Sequence, residues 1–229
     1  MKNLLYIFVL SFSISSHAQD IGAGKDAQWI KLLNENDFSG WYTFLQSKGR
    51  NNDPDKVFNI KDGLLHITGK EFGYLCSDKS YENFHLVLDF KWGKQKWPPR
   101  HADTTKRDNG ILFYVPENEK DVVWLKSIEC QIQEGDVGDF WMIDSATIVV
   151  NGSRTTPKDY FRVQKTADGE KASGEWNKVE VIANRGHIIY FVNGVKVNEG
   201  HSPSISKGRL IIQSEGAEIF YRNIRIAEL

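Results

Sequence analysis

Apolar residues recur at every second position in many short segments of this chain, and turn signals separate those segments at close intervals. That alternation, without any convincing helical periodicity, restricts the chain to β-structure. Phe84, Leu86, Leu88 and Phe90 alternate with His85, Val87, Asp89 and Lys91. Ile128, Cys130 and Ile132 alternate with Glu129, Gln131 and Gln133, and Leu210, Ile212 and Ser214 with Ile211, Gln213 and Glu215. Successive side chains of a strand point to opposite faces, so each segment predicts a strand with one face on a core. Further strands are expected over 57–60, 64–68, 73–77, 111–115, 146–150, 160–165, 176–183, 187–192, 196–199 and 218–227. Lys61-Asp62-Gly63, Asn151-Gly152, Asn184-Arg185-Gly186 and Asn193-Gly194 supply hairpin turns. No linker or internal repeat interrupts the series, which predicts one all-β domain, a sandwich or jelly roll.

The 229 residues are 40% hydrophobic and 26% charged, values of a globular protein. A formal net charge of −1 gives no electrostatic case for nucleic acid or an anionic membrane surface as partner. Residues 1–18 read as a secretory signal, with Lys2, an apolar run over 4–14 and a Ser16-His17-Ala18 cleavage site. The single domain is therefore expected over 19–229, exported to the periplasm or the medium. No cysteine lies at the junction to carry a lipid anchor, and no other segment approaches the roughly 18 apolar residues of a membrane span. Export permits a disulfide. Cys76 and Cys130 nevertheless sit on apolar, strand-like segments, where unpaired core thiols are expected.

Three constellations carry chemistry. In the first, Glu129, Gln131 and Gln133 are followed at once by Glu134, Asp136 and Asp139 around two glycines. Carboxylates gathered at a strand end and its loop suit a cation, a sugar or water alone. In the second, Gln213 and Glu215 end an otherwise apolar strand, and Arg222 follows to pair with a carboxylate or a substrate oxygen. Two strands with matching polar ends suit a cleft across one face of a sandwich. The third is the loop 94–109 and its exit, with His101, Asp103, Arg107, Asp108 and Asn109; the loop lacks periodicity and holds two prolines. Long ordered loops are often functional. Its His101 and Asp103 have a spacing open to a divalent metal, although such pairs are more often solvated; Arg107 is expected as a charge partner unless a cleft forms. There is no nucleophile elbow, phosphate-binding glycine loop, HExxH or dinucleotide fingerprint, so no organic cofactor is expected.

The segments NDFSGWY (36–42), DGLL (62–65), 84–92, RDNGIL (107–112), SIECQIQEGDVGDFW (127–141), EWNKVEV (175–181), VNGVKV (192–197) and 208–229 resemble, in order, the bacterial 3-keto-disaccharide hydrolase family. The resemblance implies a concanavalin A-like, laminarinase-like jelly roll. It also implies a carbohydrate substrate already oxidised at C3, and hence a functional link to a sugar 3-oxidoreductase. A 3-keto group acidifies the C2 proton, so a base can remove it, the C1 oxygen can leave, and water can add back. On this resemblance Glu129 and Glu134 are candidates for base or metal ligand, and His101 for acid, base or ligand. A divalent cation would be held by Glu129, Glu134, Asp136 and His101, stabilising the enolate. Gln131, Gln213, Glu215, Arg107, Arg222 and Trp141 would position the sugar. Asn109 departs from the family, which often has Ser there. Two other readings suit the same fold. One is a noncatalytic carbohydrate-binding module stacking sugars on Trp92, Trp97, Trp124 and Trp141. The other is a conventional glycosidase with two carboxylates flanking the bond.

Overall fold

The computed structural model describes residues 22–24, 26–34 and 36–229; the expected signal segment 1–18 lies outside them. In chain order the strands begin with β1 (Ile30–Lys31), β2 (Trp41–Leu45), β3 (Gly49–Arg50), β4 (Phe58–Lys61), β5 (Leu64–Ile67) and β6 (Gly73–Tyr81). There follow β7 (Phe84–Lys96), β8 (Gly110–Val115), β9 (Ser127–Gln131), β10 (Phe140–Ile143), β11 (Val149–Val150) and β12 (Ser153–Arg154). The series closes with β13 (Tyr160–Val163), β14 (Asn177–Asn184), β15 (His187–Val192), β16 (Val195–His201), β17 (Gly208–Ser214) and β18 (Ala217–Glu228). No helix occurs among the described residues, and none is long and apolar enough to cross a membrane.

The strands form two antiparallel sheets. One runs β12-β11-β16-β15-β14-β7-β18-β5-β4, with β1 also paired to β18; the other runs β13-β10-β9-β8-β17-β6-β2-β3. Several hairpins are set by two-residue turns. Asp62-Gly63, Arg185-Gly186 and Asn193-Gly194 take positive φ at both central positions, the twist that matches paired strands. Inward-facing residues of both sheets meet in a single core. Ile128, Cys130, Phe140, Met142, Leu210 and Ile212 from one sheet lie with Leu86, Leu88, Phe90, Val179, Val181, Tyr190 and Tyr221 from the other. A slip of one residue in any of these strands would turn its apolar set outward, so alternation also fixes register.

The second sheet is covered on its other face as well. Tyr42, Phe44, Tyr74, Cys76, Leu112, Ile143 and Ile211 form a smaller apolar cluster there with Leu125, from the segment between β8 and β9. Cys76 and Cys130 are both buried and free, in different clusters on opposite faces of the sheet. The structure corrects several sequence expectations. Strand β7 continues through Lys96, so the long loop begins at Trp97, and Trp92 is a buried core residue rather than a stacking platform. The strands expected over 127–133, 146–150 and 160–165 are shorter, and five strands that the pattern did not predict, β1, β2, β3, β10 and β12, bring the number among the described residues to eighteen.

Candidate active site

Residues 110, 129 and 213 occupy three neighbouring strands on the face of the second sheet that points away from the main core, with β8 between β9 and β17. Glu129 is opposite Leu112 on one side and Trp141 on the other. Gly110 makes this possible: a Cβ at that position would overlap both Glu129 Oε1 and Gln213 Oε1. Without a side chain on the central strand, the carboxyl and the amide approach each other across it.

The Trp97–Asn109 segment supplies the next wall. Trp97 N donates to Gly216 O at 2.8 Å, and Arg100 N to Trp97 O at 2.6 Å. Gly216, at φ +82°, leaves room for the Arg100 side chain, which then pairs with Asp108. Gln133 Nε2 donates to the same Asp108 oxygen at 2.8 Å. Next to it, Asn109 is fully buried; its Nδ2 donates to Gln213 O at 2.5 Å and its Oδ1 accepts from Tyr221 Oη at 2.6 Å.

Together these elements enclose a cavity of about 320 Å³ lined by Arg100, Asp108, Trp124, Glu129, Gln131, Trp141, Ile143, Tyr160 and Glu215. Asp108, Glu129 and Glu215 are each at most 5% exposed. Burial pushes all three carboxyls above their ordinary range. At Asp108 the Arg100 guanidinium and the Gln133 amide pull the other way. Glu129 has no such help: after burial, the neighbouring Asp108 raises it further. Glu215 is raised by burial, then by Asp108 and Glu129, against Arg100. Ionising one of these carboxyls therefore favours the proton on the next, which can leave an acid and a base in one cavity.

Five of the eight buried side-chain polar atoms without a partner among the described residues belong to this site: Arg100 Nε, Asp108 Oδ1, Trp141 Nε1 and both ends of the Gln213 amide. Buried polar groups are normally satisfied. Such a concentration of unpaired donors and acceptors around an opening is what a polar ligand would complete.

The structure thus brings together Glu129, Gln131, Gln213, Glu215 and Trp141 of the residues singled out in the sequence. Others stand elsewhere. Glu134 turns to Arg107, whose Nη1 lies 3.1 Å from both its oxygens, and Arg107 Nε reaches Gly93 O at 3.2 Å, so the two form a structural pair. Arg222 lies on the other sheet, 3.1 Å from Asp89 and 4.0 Å over the Trp176 ring. Asp136 is held by Lys106 at 2.6 Å and Arg162 at 2.9 Å, and His101 is exposed in its loop. Glu129, Glu134, Asp136 and His101 therefore do not make a coordination set, and no three His, Cys, Asp or Glu side chains among the described residues are placed to hold a metal ion. Asp139 is buried on Arg162 and the Lys165 N–H, a structural role. The sequence placed Asp108 in the loop constellation without giving it a role, and it did not single out Arg100 or Tyr160. The signal within reach was the RDNGIL segment, which leads from the loop directly into β8.

The family described as a 3-keto-α-glucoside-1,2-lyase-like domain matches residues 28–227. A 3-keto-disaccharide hydrolase of Bacteroides thetaiotaomicron is 22% identical over 191 residues, 76% of this chain. The chain spans 58% of the length of that curated relative. A structure from Parabacteroides distasonis ATCC 8503, provisionally named a glycosyl hydrolase, aligns with a TM-score of 0.63 at 20% identity, covering 88% of this chain and 94% of that one. The Bacillus licheniformis β-glucanase aligns with a TM-score of 0.54 at 10% identity, over 89% and 98% of the two chains. At these identities the structural likeness fixes the fold, a concanavalin A-like jelly-roll sandwich.

Proposed function

Because the chain belongs to the 3-keto-α-glucoside-1,2-lyase-like family, we propose that it cleaves the glycosidic bond of sugars already oxidised at C3, in the cavity around Glu129 and Glu215. The observation that carries this reading is the set of three buried carboxyls beside four further unpartnered polar atoms, on Arg100, Trp141 and Gln213.

The chemistry follows from electrostatics. A carbonyl at C3 acidifies the C2 proton, and a carboxylate raised by burial is a stronger base than one in water. Glu129, when ionised, takes the C2 proton, and the electron pair moves into an enolate whose oxygen is the former C3 carbonyl. The unpartnered donors Arg100 Nε, Trp141 Nε1 and Gln213 Nε2 offer hydrogen bonds to that oxygen. The enolate collapses, the C1–O bond breaks, and Glu215, kept protonated by its anionic neighbours, gives its proton to the leaving oxygen. The product is an unsaturated ketone with a C1–C2 double bond. Water adds its hydroxyl to C1 and a proton to C2, so the sum is hydrolysis. The reading calls for a sugar 3-oxidoreductase to supply the ketone, and for export of the chain to meet an extracytoplasmic substrate.

Turnover of a 3-keto-α-glucoside beside its unoxidised parent tests the proposal, with the product formed in D2O analysed for deuterium at C2. Cleavage of the keto form alone, with deuterium at C2, is expected. A parallel reaction with chelator shows whether the carboxyls act alone or around a cation. Cleavage of the unoxidised parent would instead assign a conventional glycosidase, and binding of either without cleavage a carbohydrate-binding module.

A further inference from the structure

The mouth of the cavity differs in character from its floor. Trp124 and Tyr160 line the opening yet remain 36% and 48% exposed. With Val122 they are three of the six large exposed hydrophobic residues among those described. Their rings meet edge to face at 6.3 Å, and Phe72 packs against Trp124 at 6.2 Å. Single exposed hydrophobic residues are ordinary on a protein surface, but two adjacent aromatics exposed at the mouth of one cavity form an apolar patch beside a polar floor.

Looseness does not account for that exposure, because the segment carrying Trp124 is anchored on both sides. Asp121 accepts hydrogen bonds from Tyr42 Oη at 3.0 Å, Tyr74 Oη at 2.7 Å and Arg50 Nε at 2.9 Å. Leu125 is buried in the apolar cluster. Tyr160 opens β13 and pairs with Ile143 of β10. Both rings are therefore held at the opening by the fold. The floor supplies carboxyls and amides for the oxygens of one oxidised ring. The rim supplies flat apolar surface, which matches the C–H face of a second ring.

Building on the reading above, we propose that Trp124 and Tyr160 form a subsite for the leaving group, selecting 3-keto-glycosides whose leaving group presents a flat ring face over those with a small alkyl group. Trp124 carries no titratable group, so its part in the subsite is recognition rather than the elimination.

Steady-state kinetics on three substrates test this: 3-keto-α-glucosides bearing a glucosyl, a phenyl or a methyl leaving group. In Trp124→Ala, KM for the two ring-bearing substrates is expected to rise roughly fivefold to tenfold. kcat should hold, KM for the methyl glycoside should stay constant, and Trp124→Phe should recover most of the loss. A response to glucosyl alone marks a sugar subsite, and a response to both rings a general aromatic platform. An unchanged KM, or equal changes for the ring-bearing and methyl substrates, overturns the subsite. Calorimetric titration with an unoxidised disaccharide and with methyl glucoside separates this from failure of the keto reading. A preference for the disaccharide that Trp124→Ala removes supports the subsite even without turnover. Equal or absent binding of the two overturns it.

Discussion

Nothing around Glu129 favours its anion: the carboxyl is 5% exposed, and both burial and Asp108 push its pKa up. The same fact makes the residue reactive and makes it a burden on the fold. In the unfolded chain the group titrates near 4.5, and in the folded protein well above that. The native state thus holds a proton that the unfolded state has already released. Stability from the neutral carboxyl is complete below pH 4.5 and is lost as pH rises through the native value. Glu129→Gln keeps the shape without the proton. Its Tm relative to wild type should therefore climb from pH 5 to pH 8, as calorimetry at several pH values would show. A difference independent of pH would mean that Glu129 titrates normally. The same variant should lose at least about a hundredfold in kcat if the residue is the base. Stability gained and turnover lost in one substitution would identify a group buried for function rather than for packing.

At the level of strands, Gly110 decides whether the site exists. It is the position on β8 where any side chain would displace both Glu129 and Gln213. Gly110→Ala should cost about 1–3 kcal/mol through overpacking and abolish turnover while the sandwich still forms. Thermal melts with turnover assays check this, and activity near the wild-type level would show that the two side chains need no fixed spacing. The strands that carry the site were legible because alternation alone places Glu129, Gln131 and Gln213 on outward positions. It could not show that this outward face is buried: the polar end of β9 reads as solvated until the Trp97–Asn109 segment covers it. For the same reason Asp108 could be named with its loop but given no role, since that loop has no periodicity to say which way its side chains face. Glu134 looked like a site residue because it follows the polar strand end directly, whereas Arg107 read from the residues alone as a charge partner and gained a substrate role only from the family resemblance. In the fold they neutralise each other, the outcome that a carboxylate and a guanidinium on adjacent segments reach most readily.

Across the whole molecule, the site depends on a connection between the two sheets that no strand pattern announces. Asn109 begins the approach to β8, donates to the Gln213 carbonyl on β17 of its own sheet, and accepts from Tyr221 of β18 in the opposite sheet. Tyr221 is fully buried, so its hydroxyl has no water to turn to if Asn109 withdraws. Serine is shorter, and although a hydroxyl can both donate and accept, its single oxygen cannot reach both partners that Asn109 meets through two separate atoms. Asn109→Ser should therefore leave a buried polar group unpaired at a cost of about 2 kcal/mol. In a chain of this size that is a fall of roughly 4–8 °C in Tm. Gln213 should lose its backbone anchor at the same time, so the pH dependence of kcat/KM should shift as the neighbourhood of Glu129 relaxes. Circular dichroism melts and pH–rate profiles on one preparation test both consequences. A lower Tm with an unmoved profile would confine Asn109 to stability. An unchanged Tm would mean that the sheets are held by the apolar core alone, with the buried amide adding nothing to the alignment of the carboxyls.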